Sequence, residues 1–448
     1  RRGVPEGEDV HDEHLVRRYD VRLMGVGWLK VHYVLVYAIL GSLLPYLAIH
    51  AEVAGLSEAQ IGWVYGVFGL AVIVAPPILT NLADRWRNNR GLIGICYGAG
   101  AAALVGLAGS DSFIGITGFH LAFALVFTAL IPLLDALTFA TIHAPVDEAT
   151  PAGAAAANAP GAGAAAGRPH TPYRAIRVFG SYGWMLPGVG FAVMLLGDFD
   201  AEQVARVALF TAAGICALGV GLLGFLPKYR VGAATEKRES AGPNVPTAAA
   251  FRALRQGDLA ALVIGLVALF MSINIYYGFY SLYLARLHVP SELIGLITNI
   301  GVFVEIGCMF AAGTLLGRLG TRGVLLLGAG ANLARMLLLA TIPAASVAIG
   351  TQLFHGPTVL ALYLIPPMYL NARAEPSYRN SIQGLYVMGC FGLARVVGTI
   401  GGGGIIDLAG GGLGGLRIGM AAAAVLALLS VAVFALCFRP RANLAAAA

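Results

Sequence analysis

Apolar residues in this chain run in long unbroken blocks, with neither the alternation of a half-buried strand nor the three-to-four spacing of a surface helix. Short polar breaks separate the blocks, and twelve of spanning length can be read. Their approximate limits are 27–50, 58–82, 91–109, 113–140, 174–197 and 203–226, then 256–285, 292–316, 323–341, 345–371, 380–408 and 416–438. About 20 mostly apolar residues cross a bilayer as a helix. Barrel strands are about half that length, and lipid offers no partner to an unpaired backbone group, so each block predicts a helix.

The polar breaks carry a repeat. Ile61-Gly62 opens one block and Asp84-Arg85 closes it; Ile294-Gly295 opens another and Gly317-Arg318 closes that one. Arg85 follows Gly62 by 23 residues, and Arg318 follows Gly295 by 23. A basic turn at matched places in two halves predicts an all-α membrane protein with twelve transmembrane helices in two six-helix pseudo-repeat bundles. That is a transporter architecture, with the substrate site between the halves near the midplane. The expected division is an N-terminal tail 1–26, a first bundle 27–227, a linker 228–255, a second bundle 256–438 and a tail 439–448. Within the first bundle, the Ala/Gly/Pro-rich stretch 147–172 lacks Leu, Ile and Phe and reads as an inner loop.

Composition agrees with a membrane protein. Hydrophobic residues make up 58% and charged residues 12%, against about 25% charge in soluble domains; mean hydropathy is +0.78. Nearly all Lys and Arg fall in alternate loops, including Arg85, Arg87 and Arg90, Lys228 to Arg255, Arg318 and Arg322, and Arg373 and Arg379. The other loops hold only Arg206, Arg286 and Arg417. This bias places both termini in the cytoplasm, with the chain in the inner (cytoplasmic) membrane. It also accounts for the pI of about 9.1, so nucleic acid is not an expected partner. The five cysteines lie inside predicted helices without metal-ligand spacing. No phosphate-binding loop is present, which excludes an ATP motor, and no cofactor is expected.

The basic turns, Asp84-Arg85 and Gly313-x-x-x-Gly317-Arg318-Leu319-Gly320-Thr321-Arg322, resemble the G-x-x-x-D-R-x-G-R-R turn of the major facilitator superfamily. The resemblance covers roughly residues 27–438. Within that superfamily the chain is most similar to the branch of phenylpropionate permeases, nucleoside–proton symporters and lactose permeases. Ala38 to Leu47, Pro132 to Asp135, Tyr173 to Ser181, Tyr280 to Leu284 and Val304 to Ile306 carry that likeness. It implies the major facilitator fold, proton-coupled uptake of a small organic solute, and a cytoplasmic latch at Asp84, Arg85, Gly313, Arg318, Gly320 and Arg322. The latch pattern is incomplete: Thr80 and Arg87 replace usual glycines, and Gly317 replaces the second Asp.

Charges inside spans are the candidate chemistry. Glu305 sits near the centre of the eighth span. Low dielectric penalises the charged form of a carboxyl, so such a group is suited to carry a proton. Arg335 in the ninth span has Asn332 one turn before it, and Gln352 and His355 repeat that spacing in the tenth. The spacing from Arg335 to His355 resembles that of lactose permeases, but Thr358 stands where they have a Glu, which shifts the proton role toward Glu305. Asp135 is the first half's deep carboxylate. Proton coupling is therefore expected of Glu305, His355 and Asp135. Substrate contact is expected of Arg335, Asn332, Asn274, Gln352 and Arg395, with Tyr276 and Tyr280 on a helix stripe that ends at Tyr283. A monovalent acid would fit Arg335 and Arg395; a neutral substrate would leave them to pair with Glu305 and Asp135. Arg174 and Arg177 read first as a positive-inside anchor.

The reading is a non-enzymatic secondary transporter, most simply a monomer in the bilayer importing an aromatic acid, nucleoside or sugar with protons. The alternative is a drug–proton antiporter, whose helix-5 pattern is partly echoed by Pro187-Gly188-Val189-Gly190. A non-transporting sensor would be expected to carry a signalling domain.

Overall fold

The computed structural model describes residues 8–86, 89–143, 173–227, 246–375, 377–441 and 444. The side chains of Asp84, Arg85 and Arg174 lie outside that description, as do the stretch 147–172 and the linker residues 228–245. Among the described residues, eleven helices are long and apolar enough to cross a membrane. The longest, Ser291–Thr341, has 51 residues and would extend about 75 Å if straight, more than twice the roughly 30 Å hydrocarbon core. It is two spans: Gly320 breaks it with a non-helical φ of 65° and ψ of 174°. That left-handed φ is open to glycine at no steric cost.

Twelve spans result. In the first half they are α1 (Glu8–Val53), α2 (Glu58–Trp86), α3 (Asn89–Ala108), α4 (Phe113–Phe139), α5 (Ala175–Leu196) and α6 (Ala201–Phe225). In the second they are α7 (Gly257–Arg286), α8 (291–319), α9 (321–341), α10 (Ala345–Arg373), α11 (Ser381–Leu408) and α12 (Gly412–Cys437). Their ends fall within a few residues of the predicted blocks, except that α1 starts earlier, at Glu8. Part of the linker also folds: Pro246–Leu254 forms a short helix packed on residues 379–386 of the second half. Proline suits the first helical position there, because its missing N–H is unused.

Within the first half α1 packs on α5 and α6, α3 on α6, and α2 on α4. Within the second, α12 packs on α7 and on the 291–341 pair, which also holds α10. The halves meet along two seams. At the α2–α11 seam a Cβ on Gly62 would lie 2.5 Å from the Thr399 carbonyl oxygen, and one on Gly69 2.7 Å from that of Gly392. At the α5–α8 seam a Cβ on Gly188 would lie 2.6 Å from the Gly295 carbonyl. Small residues let these backbones touch. The Pro187-Gly188 step is thereby explained by packing.

Polar cross-half contacts lie nearer one face, that of the α1–α2, α7–α8 and α11–α12 turns. Glu52 pairs with Arg286, Glu58 accepts from the Gly412 N–H, and Asn299 Nδ2 donates to the Met185 carbonyl. Among the described residues no hydrogen bond or ion pair joins the halves at the opposite face. The molecule is sealed at what we term the odd-turn face.

Candidate functional site

Glu305 is placed by close helix packing. A Cβ on Gly301 would meet Gln352 Oε1 at 2.7 Å and His355 Cγ at 3.0 Å, and one on Gly356 would meet the Val304 carbonyl at 2.6 Å. With α8 and α10 this near, Glu305, one turn beyond Gly301, brings Oε2 to 3.5 Å from His355 Nε2. Both side chains are part-exposed, at 24% and 14%. The His355 Nδ1 has no partner, and the Tyr277 ring stands edge-on to the imidazole at 6.2 Å. Thr358 is buried and donates to the Phe354 carbonyl, 2.8 Å away, a local bond without bearing on the pair.

Two helices distort beside this pair. Leu360–Leu364 in α10 and Val387–Leu393 in α11 are π-helical turns, a rare geometry that recurs at functional sites. Tyr363, in the first, lies within electrostatic range of Glu305 and Arg395. The second precedes Arg395, whose guanidinium lies 4.4 Å over the Phe68 ring of α2. This cation–π contact crosses between the halves. Phe68 is backed by His120, whose Nδ1 bonds the Val64 carbonyl at 2.7 Å.

The first half contributes a second cluster. Tyr33 and Tyr37 stand one turn apart on α1. The Tyr33 hydroxyl donates to Asp135, and Arg177 donates to the Tyr37 oxygen while lying over both rings. Tyr37 is part-exposed and within electrostatic range of Asp135, Arg177 and Glu305. Arg177 therefore turns inward onto an aromatic face, a different place from the solvated anchor expected of it.

Residues proposed from sequence for substrate contact divide into two groups. Arg395 is part-exposed beside the centre. Arg335, Asn332, Tyr276, Tyr280, Asn274 and Gln352 are all buried within the second half. The Arg335 Nε bonds the Thr351 carbonyl at 3.1 Å, and its guanidinium lies 4.6 Å over Tyr276, which also accepts from Gln352 Nε2 at 2.9 Å. Asn332 donates to Ser272 and Asn274 to the Phe270 carbonyl of its own helix. The stripe Tyr276, Tyr280 and Tyr283 packs inward: Tyr280 and Tyr283 donate to the Ala348 and Leu339 carbonyls. Tyr277 of α7, one residue off that stripe, is part-exposed beside His355. Among the described residues neither Arg335 nor Arg395 has a carboxylate within ion-pair distance, so the pairing with Glu305 and Asp135 is absent here.

At the basic turns, Gly313 and Gly317 face open space, and Gly320 makes the break before α9. Arg322 donates to the Phe434 and Ala435 carbonyls at the end of α12. That contact closes the second half on itself. Arg318 lies on α8 just before the Gly320 break. Asp84 and Arg85 end α2, and their side chains lie outside the described residues.

Comparison with known proteins shows the family and the fold. Residues 26–412 match the family described as MFS_1 like. A putative nucleoside transporter, YegT of Escherichia coli K12, is 24% identical over 363 residues, covering 77% of this chain and 76% of its own. A maltose permease of Geobacillus stearothermophilus is 26% identical over 390 residues, covering 84% and 86%. Among solved structures, a mutant of the nucleoside transporter NupG superposes with a TM-score of 0.78 at 18% identity, covering 94% of this chain and 100% of its own. An inward-facing bacterial homologue of the lysosomal transporter Spinster gives 0.67 at 17% identity, covering 94% and 97%.

Proposed function

Since the chain belongs to the MFS_1-like family and is a multi-pass membrane transporter of the major facilitator type, we propose that it imports a neutral, nucleoside-like solute together with protons. The observation that carries this is the Glu305–His355 contact in mid-membrane, with no arginine against the carboxylate among the described residues. A carboxylate held permanently by a guanidinium could not exchange its proton freely; one beside an imidazole can. The neutral substrate is supported by the surroundings: Tyr37, Tyr277 and Tyr363 are part-exposed tyrosines within electrostatic range of Glu305. The relatives named as nucleoside transporters point the same way.

We place the odd-turn face outside a bacterial inner membrane and both termini in the cytoplasm, because Lys and Arg concentrate on the other face. The monomer then works by alternating access, with 27–227 rocking against 256–438 and the present shape closed to the outside. In the outward-open shape Glu305 takes a proton and the solute binds between Tyr37 and Tyr277. In the shape seen here both leave to the cytoplasm.

Proteoliposomes holding a trapped pH dye test this reading. Uridine, phenylpropionate and maltose are added in turn, and acidification of the lumen is expected with uridine. Glu305→Gln should abolish accumulation against a gradient yet leave uridine exchange. Undiminished accumulation in that variant would show that Glu305 is structural, and lumen alkalinisation would mark an antiporter.

A further inference from the structure

Helix α12 begins without a cap of its own. Its N-cap residue is Gly411, at φ 62° and ψ −160°, and no side chain on that residue can bond the first turn. The exposed N–H groups of a helix start call for an acceptor, and the helix dipole favours a negative one. Here the acceptor comes from the other half of the molecule: Glu58 Oε1, on the first turn of α2, takes the Gly412 N–H at 2.9 Å. The fit is close. A Cβ on Gly411 would stand 2.7 Å from that carboxylate oxygen, and one on Gly403 2.5 Å from the Glu58 carbonyl. Around it, Ser57 Oγ lies 3.5 Å from Asp407 Oδ2, and Glu52 of α1 pairs with Arg286 of α7.

We infer that Glu58 is a cap supplied in trans, complete only when the odd-turn face is shut, and that with Glu52–Arg286 it forms the latch of that gate. Each contact joins the first half to the second, so opening this face must break all of them together. An intrahelical cap stabilises every conformation equally; a cap carried by the opposite half stabilises one. Glu58 is therefore a positioning residue for transport: it sets how often the gate opens. The inference rests on the alternating-access reading above.

The full chain in proteoliposomes tests it, with its five native cysteines replaced and spin labels at Val53→Cys and His288→Cys, on either side of the gate. Pulsed electron resonance then reads the distance distribution with and without a proton gradient. Glu58→Ala should raise the ratio of open to closed forms about tenfold, a change of about 1.4 kcal/mol and within the range of a lost cap. Glu58→Gln, which keeps an oxygen acceptor but no charge, should fall between wild type and Glu58→Ala. Arg286→Gln should shift the ratio in the same direction. Melting temperature, measured alongside, separates the latch from mere support: a supporting residue would lower it and leave the distance ratio unmoved. An unchanged ratio in both Glu58→Ala and Arg286→Gln, in a protein whose wild type switches, overturns the latch alone. A wild type that never shows a second distance overturns the latch together with alternating access.

Discussion

Gly62→Ala is expected to hold the transporter open at the odd-turn face. The added Cβ would lie 2.5 Å from the Thr399 carbonyl oxygen, 3.2 Å from the Gly403 Cα and 3.3 Å from the Ile400 Cα. All three are backbone atoms of α11, so no side chain can turn aside. Ordinary contact begins at 3.4 Å, and α2 and α11 must part by about 0.9 Å to reach it. Overpacking of this kind costs about 1–3 kcal/mol. Rocking apart at this face removes the clash, so the cost falls on the closed form only, a shift of about 5- to 150-fold in the ratio of forms. Alanine also improves helix propensity by about 1 kcal/mol over glycine, but α2 is a helix in both forms, so that gain cancels.

The readout is labelling of a cysteine placed at Tyr363, in a cysteine-free background, by a membrane-impermeant maleimide added from the odd-turn side. Gly62→Ala should accelerate labelling by the same factor. Gly401 and Gly404 lie in the same glycine run, yet a Cβ on either meets nothing within 4 Å. Gly401→Ala and Gly404→Ala should label at the parental rate. If all three variants behave alike, the effect belongs to glycine content, and the steric argument is refuted.

Other expectations follow from single contacts. Asp258, on α7, is buried and accepts from Arg373 at 2.9 and 3.2 Å and from the Tyr369 hydroxyl; Asp258→Ala should cost about 2 kcal/mol. That lies between the 0–1 of an exposed pair and the 3–5 of a fully buried one, and thermal unfolding in detergent would show it. Arg395→Met should leave uridine uptake active with KM changed less than about tenfold, the value of one hydrogen bond; complete loss would favour a carboxylate substrate. Arg335→Met should unfold within about 1 kcal/mol of the parent, because a buried guanidinium with two unpartnered nitrogens brings little net stability. A melting point lowered by more than about 5 °C would count against that.

The spans were legible because lipid leaves a coarse signal: twenty apolar residues must be a helix, and Gly320 with Arg318 and Arg322 marked where α8 turns into α9. The family resemblance added the fold, and the matching family agrees with it. What hydropathy could not give was which way each polar side chain faces. Arg335 is as costly in lipid as Arg395, and a sequence shows the cost without showing what offsets it. For Arg335 the offset is the Tyr276 ring and the Thr351 carbonyl within one half; for Arg395 it is Phe68 of the other half.

That difference separates the charges that the proposed transport cycle would move from those it would leave alone. A polar group satisfied inside one rigid half keeps its partners as the halves rock, and contributes the same free energy to every conformation. On the alternating-access reading, one satisfied across the seam loses its partner when that seam opens, and one part-exposed between the halves keeps its own partner while solvent and solute reach it. Glu305, His355, Tyr37, Arg395 and Glu58 are of the second kind, while Arg335, Tyr276 and Gln352 are of the first. Sequence had one clue for Tyr37, its place one turn after Tyr33 on the first span, where two aromatic hydroxyls share a face. For Glu58 the sequence holds an acidic residue at a helix start and, far along the chain, the glycines Gly410, Gly411 and Gly412; that the two meet is visible only in the structure.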